Sequence, residues 1–278
     1  MQELIDYLGL DLNYTQELLI VALILARTVP MIFLSPFFAG KIAPPEVKWG
    51  LSIVFCLTVW PVARPAALAH GPVPYQALLF SIIMLKEVFV GFCIGFLNAH
   101  VFWAMDMAGR LIDTARGTSM SEVQDPHSKQ RVTPFGDMYT QLLLIFFMLF
   151  GGHQLFLEAY LYSFQTIPLN GFLPDFFDIG QFSDFMIRTT ASIFLLALLL
   201  AAPTVAATLI TDTVFGILNR VAPQLNAYFM SMPVKAMAGV VMVLVAMDAF
   251  VARAEWYTVW ALQMVGRSIE LLSGANNL

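Results

Sequence analysis

Residues 189–211 read TTASIFLLALLLAAPTVAATLIT, a run without a single charged side chain. A helix needs about 20 apolar residues to cross a hydrocarbon core, so this run is long enough. Working outward, five more apolar stretches lie at 18–38, 49–63, 77–105, 138–162 and 236–252. The composition agrees with them. Of 278 residues, 59% are hydrophobic and 12% charged, against about 25% charged in a soluble domain. A soluble core could not hide so many apolar groups while leaving so few charges for its surface. The chain therefore reads as an all-α, polytopic membrane protein.

Other classes fall away on the same numbers. A net charge of −5 provides no basic footprint for nucleic acid. The apolar content is too high for a solvated coil. Cys56 and Cys93 sit inside apolar runs with no CxxC and no metal-ligand spacing around them, which reads as packing. The acidic start, Met1-Gln2-Glu3-Leu4-Ile5-Asp6, lacks the basic n-region of a cleaved signal, so the apolar segments are expected to target the chain. HExxH, GxSxG, P-loop and dinucleotide-binding patterns are absent. His153 and Glu158 are five apart, off a common helix face, and His153 reads as a hydrogen-bonded packing residue. Neither an enzymatic step nor a cofactor or metal is expected.

The apolar stretches are not clean spans. Arg27 lies in the first, Lys86 and Glu87 in the third, and Arg27 or Lys86 would cost roughly 2.5–3.5 kcal/mol facing lipid. Lys86 and Glu87 are adjacent, so on a helix they diverge, and each is expected to need its own partner. Pro30, Pro36, Pro44, Pro45, Pro61, Pro203, Pro223 and Pro233 are expected to break the segments or kink them. Such helices suit a subunit of a larger assembly or a transporter with a polar interior. If all six stretches cross, eight loop Lys and Arg face one side and three the other, which favours both termini outside.

Several motifs stand out. Gly91-x-x-x-Gly95 permits close approach of another helix and is assigned to subunit packing. Asp106, Arg110 and Asp113 fall on one helical face, either solvated or lining a wet route. Residues 117–125, GTSMSEVQD, are small and polar between a glycine and Asp-Pro: a plain connection or a gate. Around Pro223 crowd Asn219, Arg220, Gln224 and Asn226, with Pro233 beyond, which suggests a buried, specified turn. Between Ser163 and Met186, six phenylalanines (164, 172, 176, 177, 182, 185) accompany acids without Lys in a contact surface or an interfacial anchor.

These pieces fall in an order that resembles the T subunit of type III secretion export gates, the SctT family with flagellar member FliR. The similarity runs through Pro44-Pro45-Glu46-Val47-Lys48-Trp49-Gly50-Leu51, Glu87-x-x-x-Gly91-x-x-x-Gly95 and Ala108-Gly109-x-x-Ile112-Asp113. It continues in Asp125-Pro126-x-Ser128 with Pro134 and Gly136, then Gly152-His153 and Ser163-Phe164-x-x-x-Pro168-Leu169. The most specific piece is Asn219-Arg220-x-Ala222-Pro223-Gln224-Leu225-Asn226, with Pro233 and Lys235 downstream.

The resemblance implies a single export-gate domain over 1–278, built into a helical hetero-oligomer of one T with several R and S subunits. It implies the bacterial inner membrane within a secretion basal body, a U-type switch and a V-type export subunit nearby, and lipid around the assembly. Inner rod and needle proteins and unfolded substrates would pass through its pore. It also implies that Gly117, Thr118, Ser119, Met120, Ser121, Glu122 and Asp125 belong to a plug, with Met120 where the family carries a bulky aromatic. His127 and Lys129 depart from the family's usual Asp-Pro-x-Ser-Gly run. Gly151-Gly152-His153 and the SFQTIPL stretch lean toward the injectisome rather than the flagellum. The rival class is a self-sufficient secondary transporter with a polar site at Arg27, Lys86 and Glu87.

Overall fold

The computed structural model describes residues 14–38, 40, 43–69, 71–117, 133–172, 177–224 and 226–274. Among these, the chain forms seven α-helices and no strand. They are α1 (Tyr14–Leu34), α2 (Pro45–Ala69), α3 (Ala77–Ala115), α4 (Pro134–Leu149), α5 (Gly152–Thr166), α6 (Ile179–Val221) and α7 (Ala227–Ser273). Five of them, α1, α2, α3, α6 and most of α7, are long and apolar enough to cross a membrane, and α4 with α5 makes a sixth if taken as one interrupted span. The fold is all-α and polytopic.

The helix ends follow local chemistry. Pro45 opens α2, where a missing N–H costs nothing. Asp178 caps α6, its Oδ1 accepting the Gly180 N–H at 2.7 Å and the Gln181 N–H at 3.3 Å. Gly117 closes α3 with φ +76°, a left-handed conformation that suits glycine. Thr133 is extended and Pro134 begins α4.

Three expectations about the segments are corrected. Of the prolines expected to break or kink the segments, Pro36, Pro44, Pro45 and Pro223 stand at helix ends, while Pro30, Pro61, Pro203 and Pro233 lie inside α1, α2, α6 and α7 without breaking them. The 49–63 stretch lies within a longer helix of 25 residues, which begins at Pro45 and runs past Arg64 and Pro65 to Ala69. The 138–162 stretch is not continuous. It stops at Leu149 and restarts at Gly152, with Gly151 at φ +72° between.

The chain folds as two compact units. The first contains residues 1–99, 153–185 and 262–278, the second 100–152 and 186–261. In the first, α1 and α2 form an antiparallel hairpin. Phe33 meets Trp49 at 5.5 Å at one end, and Arg64 Nε bonds Glu17 Oε1 at 2.8 Å at the other. Gln16 reaches the segment before α3, giving Nε2–H to Val73 O (3.1 Å) and accepting Val73 N–H on Oε1 (2.9 Å). The second unit is centred on Phe102 against Phe147 (5.6 Å) and Tyr139 against Phe250 (5.3 Å).

Candidate functional site

In the first unit, Arg27, Lys86 and Glu87 come together. Arg27 and Glu87 are fully buried, and Lys86 is 7% exposed. Arg27 Nε bonds Glu87 Oε2 at 2.5 Å, Nη1 the carbonyl of Ser163 at 2.8 Å, and Nη2 that of Ile167 at 3.0 Å. Its guanidinium lies 4.3 Å over the Phe164 ring. Lys86 Nζ is 2.6 Å from Glu87 Oε1 and bonds the carbonyls of Pro168 (2.5 Å) and Gly171 (2.9 Å). The adjacent pair therefore does not diverge as expected. Both side chains are long enough to curl round the helix, and Glu87 serves both cations. Two cations against one carboxylate leave an excess positive charge. The carbonyls at and just beyond the C-terminal end of α5 compensate it, since that end carries the negative pole of the helix.

Gly91 and Gly95 are not free for a neighbouring subunit. A methyl group on Gly91 would sit 2.0 Å from Arg27 O, and one on Gly95 2.9 Å from Met31 Cα. The GxxxG pair is pressed against α1 of its own chain, and this contact sets Arg27 beside Glu87.

In the second unit, the ends of the 117–133 connection are drawn together. A methyl group on Gly109 would lie 2.1 Å from Gly136 N, so α3 and the start of α4 cross in backbone contact. Asp113 is buried and accepts the Phe135 N–H on Oδ2 at 3.1 Å, capping α4 from another helix. Arg116, 9% exposed, bonds Ala236 O through Nε (3.2 Å) and Nη2 (3.0 Å) and stacks 4.5 Å from the centre of the Phe135 ring. The Asp106–Arg110–Asp113 face therefore divides. Arg110 pairs with Asp106 at 3.1 Å in partial exposure, while Asp113 turns inward, neither solvated nor on an open route. Of the residues assigned by resemblance to a plug, Gly117 closes α3, and Thr118, Ser119, Met120, Ser121, Glu122 and Asp125 lie outside the described residues.

The turn around Pro223 is not buried in the single chain. Asn219, Arg220, Pro223, Gln224, Asn226 and Pro233 are all exposed. The phenylalanine cluster also separates. Phe164 and Phe182 are core residues, Phe182 against Phe89 (5.8 Å) and Phe177 (5.6 Å), whereas Phe172 is exposed. His153 does not hydrogen-bond through Nδ1 to any described residue. Sequence reasoning passed over the carbonyls of 163–171, which leave no side-chain signature. It also missed Arg116, counted only as a loop charge, and Gly239.

Comparison with known proteins gives one consistent answer. The family described as "Bacterial export proteins, family 1" matches residues 18–259. Yop proteins translocation protein T of Yersinia pestis is 30% identical over 201 residues, covering 72% of this chain and 74% of that protein. Flagellar biosynthetic protein FliR of Bacillus subtilis is 30% identical over 169 residues, covering 61% and 65%. Secretion system apparatus protein SsaT of Salmonella typhimurium is 34% identical over 154 residues, covering 55% and 58%.

Proposed function

The chain belongs to the bacterial export proteins of family 1, and from that premise we propose that it is the pore-forming T subunit of a type III secretion export gate. Its family comprises components of the type III and flagellar export apparatus. In our reading the whole chain, 1–278, acts as one domain, joins several R and S subunits in the inner membrane, and meets the U-type and V-type export components. Unfolded substrates enter the secretion channel through the assembly. The chain is structural, with no enzymatic step of its own, so the energy for export comes from its partners.

The observation that carries this reading is the ordered set of motifs within the matched region 18–259. Several of its members have a clear physical role, since Gly109, Asp113, Pro134 and Gly136 build the stem from which the plug-like loop leaves. The test is ion leakage. In the assembled gate, Met120→Gly should raise leakage by removing the bulk in the loop; leakage equal to wild type would refute the plug. Native mass spectrometry of the tagged chain, expressed with its neighbouring membrane genes, should find one copy among several copies of two other small membrane proteins.

We favour the injectisome version on the Gly151-Gly152-His153 and SFQTIPL stretches, supported by likeness to Yop protein T over 72% of the chain. The flagellar version is supported by the FliR likeness, and complementation of secretion against motility separates the two. A self-sufficient transporter would need Arg27, Lys86 and Glu87 open to a substrate. They are instead 0%, 7% and 0% exposed and engaged with each other and with backbone carbonyls.

A further inference from the structure

We propose that Arg116 is a positioning residue: with Asp113 and Gly239 it forms a clamp that fixes both ends of the 117–133 connection onto α7. The argument begins with a notch. A methyl group on Gly239 would lie 2.3 Å from Arg116 Cδ and 2.5 Å from its Cγ. Only a residue without a side chain lets the arginine stem lie flat on α7. From that notch the guanidinium bonds Ala236 O through two nitrogens, at 3.2 and 3.0 Å. Its other face covers the Phe135 ring at 4.5 Å, on the far side of the connection.

Asp113 completes the arrangement. One carboxylate oxygen holds the Phe135 N–H at 3.1 Å, and the other is 3.9 Å from Arg116 Nη1. Arg116 immediately precedes the left-handed Gly117, and Phe135 follows Thr133 and Pro134. One side chain thus grips the departing end of the connection, its returning end and α7 together. A largely buried charged group bonded to a carbonyl holds more firmly than a surface pair.

Lysine cannot replace this arginine fully. Its ammonium keeps the charge but lacks the planar fork that bonds Ala236 O twice while stacking on Phe135. Gly239→Ala attacks the clamp from the opposite side, because the new methyl group displaces the arginine stem. Two unrelated substitutions should therefore produce one phenotype.

The consequence for leakage rests on the plug reading; the clamp itself does not. The experiment uses the assembled complex carrying Ser119→Cys in the connection and measures its labelling rate by a membrane-impermeant maleimide. Cys56 and Cys93 are buried at 1% and 0% exposure and stay silent. Arg116→Ala and Gly239→Ala should each accelerate labelling about tenfold or more, with Arg116→Lys in between and subunit stoichiometry unchanged. Labelling at the wild-type rate in both variants would overturn the clamp whatever the leakage. Should Arg116→Ala prevent assembly, the Lys and Gly239→Ala variants decide the question in the same way. Ion leakage is then read on the same samples. Faster labelling with raised leakage supports clamp and plug together, and faster labelling with leakage unchanged in these and in Met120→Gly retains the clamp and removes the plug.

Discussion

Replacing Gly91 by alanine tests the helix contact on which the buried charges depend. The added methyl group would lie 2.0 Å from Arg27 O, 2.7 Å from Arg27 C and 3.0 Å from Arg27 Cα. All three are backbone atoms, so no side chain can swing aside. Relief to a contact of about 3.5 Å requires α1 and α3 to separate by about 1.5 Å. The Arg27–Glu87 bond, now 2.5 Å, would then stretch to about 4 Å, beyond hydrogen-bonding range. Overpacking costs about 1–3 kcal/mol and the weakened buried pair about 2 kcal/mol more, while alanine's better helix propensity returns about 1 kcal/mol. The net loss is about 2–4 kcal/mol, or a melting point lower by roughly 5–15 °C for a chain of this size. Thermal unfolding of the purified chain in mild detergent measures it. Gly216→Ala is the control, with nothing within 4 Å of the new methyl group, and should melt at or slightly above wild type. If Gly91→Ala melts with that control, the contact does not set the position of Arg27 and the reasoning fails.

The remaining predictions concern the charges and the Pro223 turn. Glu87→Met should destabilise the chain by about 3–5 kcal/mol, because it takes the one carboxylate from two buried cations, whereas Arg27→Met should cost less, since Glu87 keeps its contact with Lys86; the double variant should cost well under the sum, and strictly additive losses would show that Arg27 and Glu87 are not coupled. Combined alanine replacement of Asn219, Gln224 and Asn226, exposed in the single chain, should leave its own melting within about 0.5 kcal/mol of wild type. Co-purification of partner subunits should fall sharply, and normal recovery of partners would remove these residues from subunit packing.

The sequence was informative where one side chain carries the signal. Charge-free and nearly charge-free runs located the helices. Their ends were harder: α6 runs from Ile179 to Val221, well beyond 189–211, because Asp184, Arg188, Asp212 and Arg220 are compatible with a helix but invisible to an apolar window. GxxxG announced a close approach, yet nothing in its spacing could say that the approaching helix was α1 of the same chain. Arg27, Lys86 and Glu87 announced a need for partners. Those partners proved to be one another and main-chain carbonyls, 82 residues along the chain from Lys86 at Pro168 and 136 from Arg27 at Ser163. The two ends of the 117–133 connection were legible as spacing, while the contacts that hold them were not. Asp113 and Phe135 are 22 residues apart and meet only once α3 and α4 cross at Gly109 and Gly136. The phenylalanine run was the least transparent, since one composition serves both a core and a surface.

The way the two units are threaded has a bearing on biosynthesis. The first unit takes residues 1–99, then 153–185, and finally 262–278. At a translation speed of about 5–20 residues per second, residues 1–99 wait roughly ten to thirty seconds for the unit's last helix turns to be made. Through the earlier part of that delay Arg27 and Lys86 have emerged without the carbonyls of 163–171 that later compensate them. The nascent chain therefore passes through an interval in which its first and third helices are poorly suited to lipid. An insertase or an early-arriving partner that shelters them during that interval would decide the yield of the finished protein.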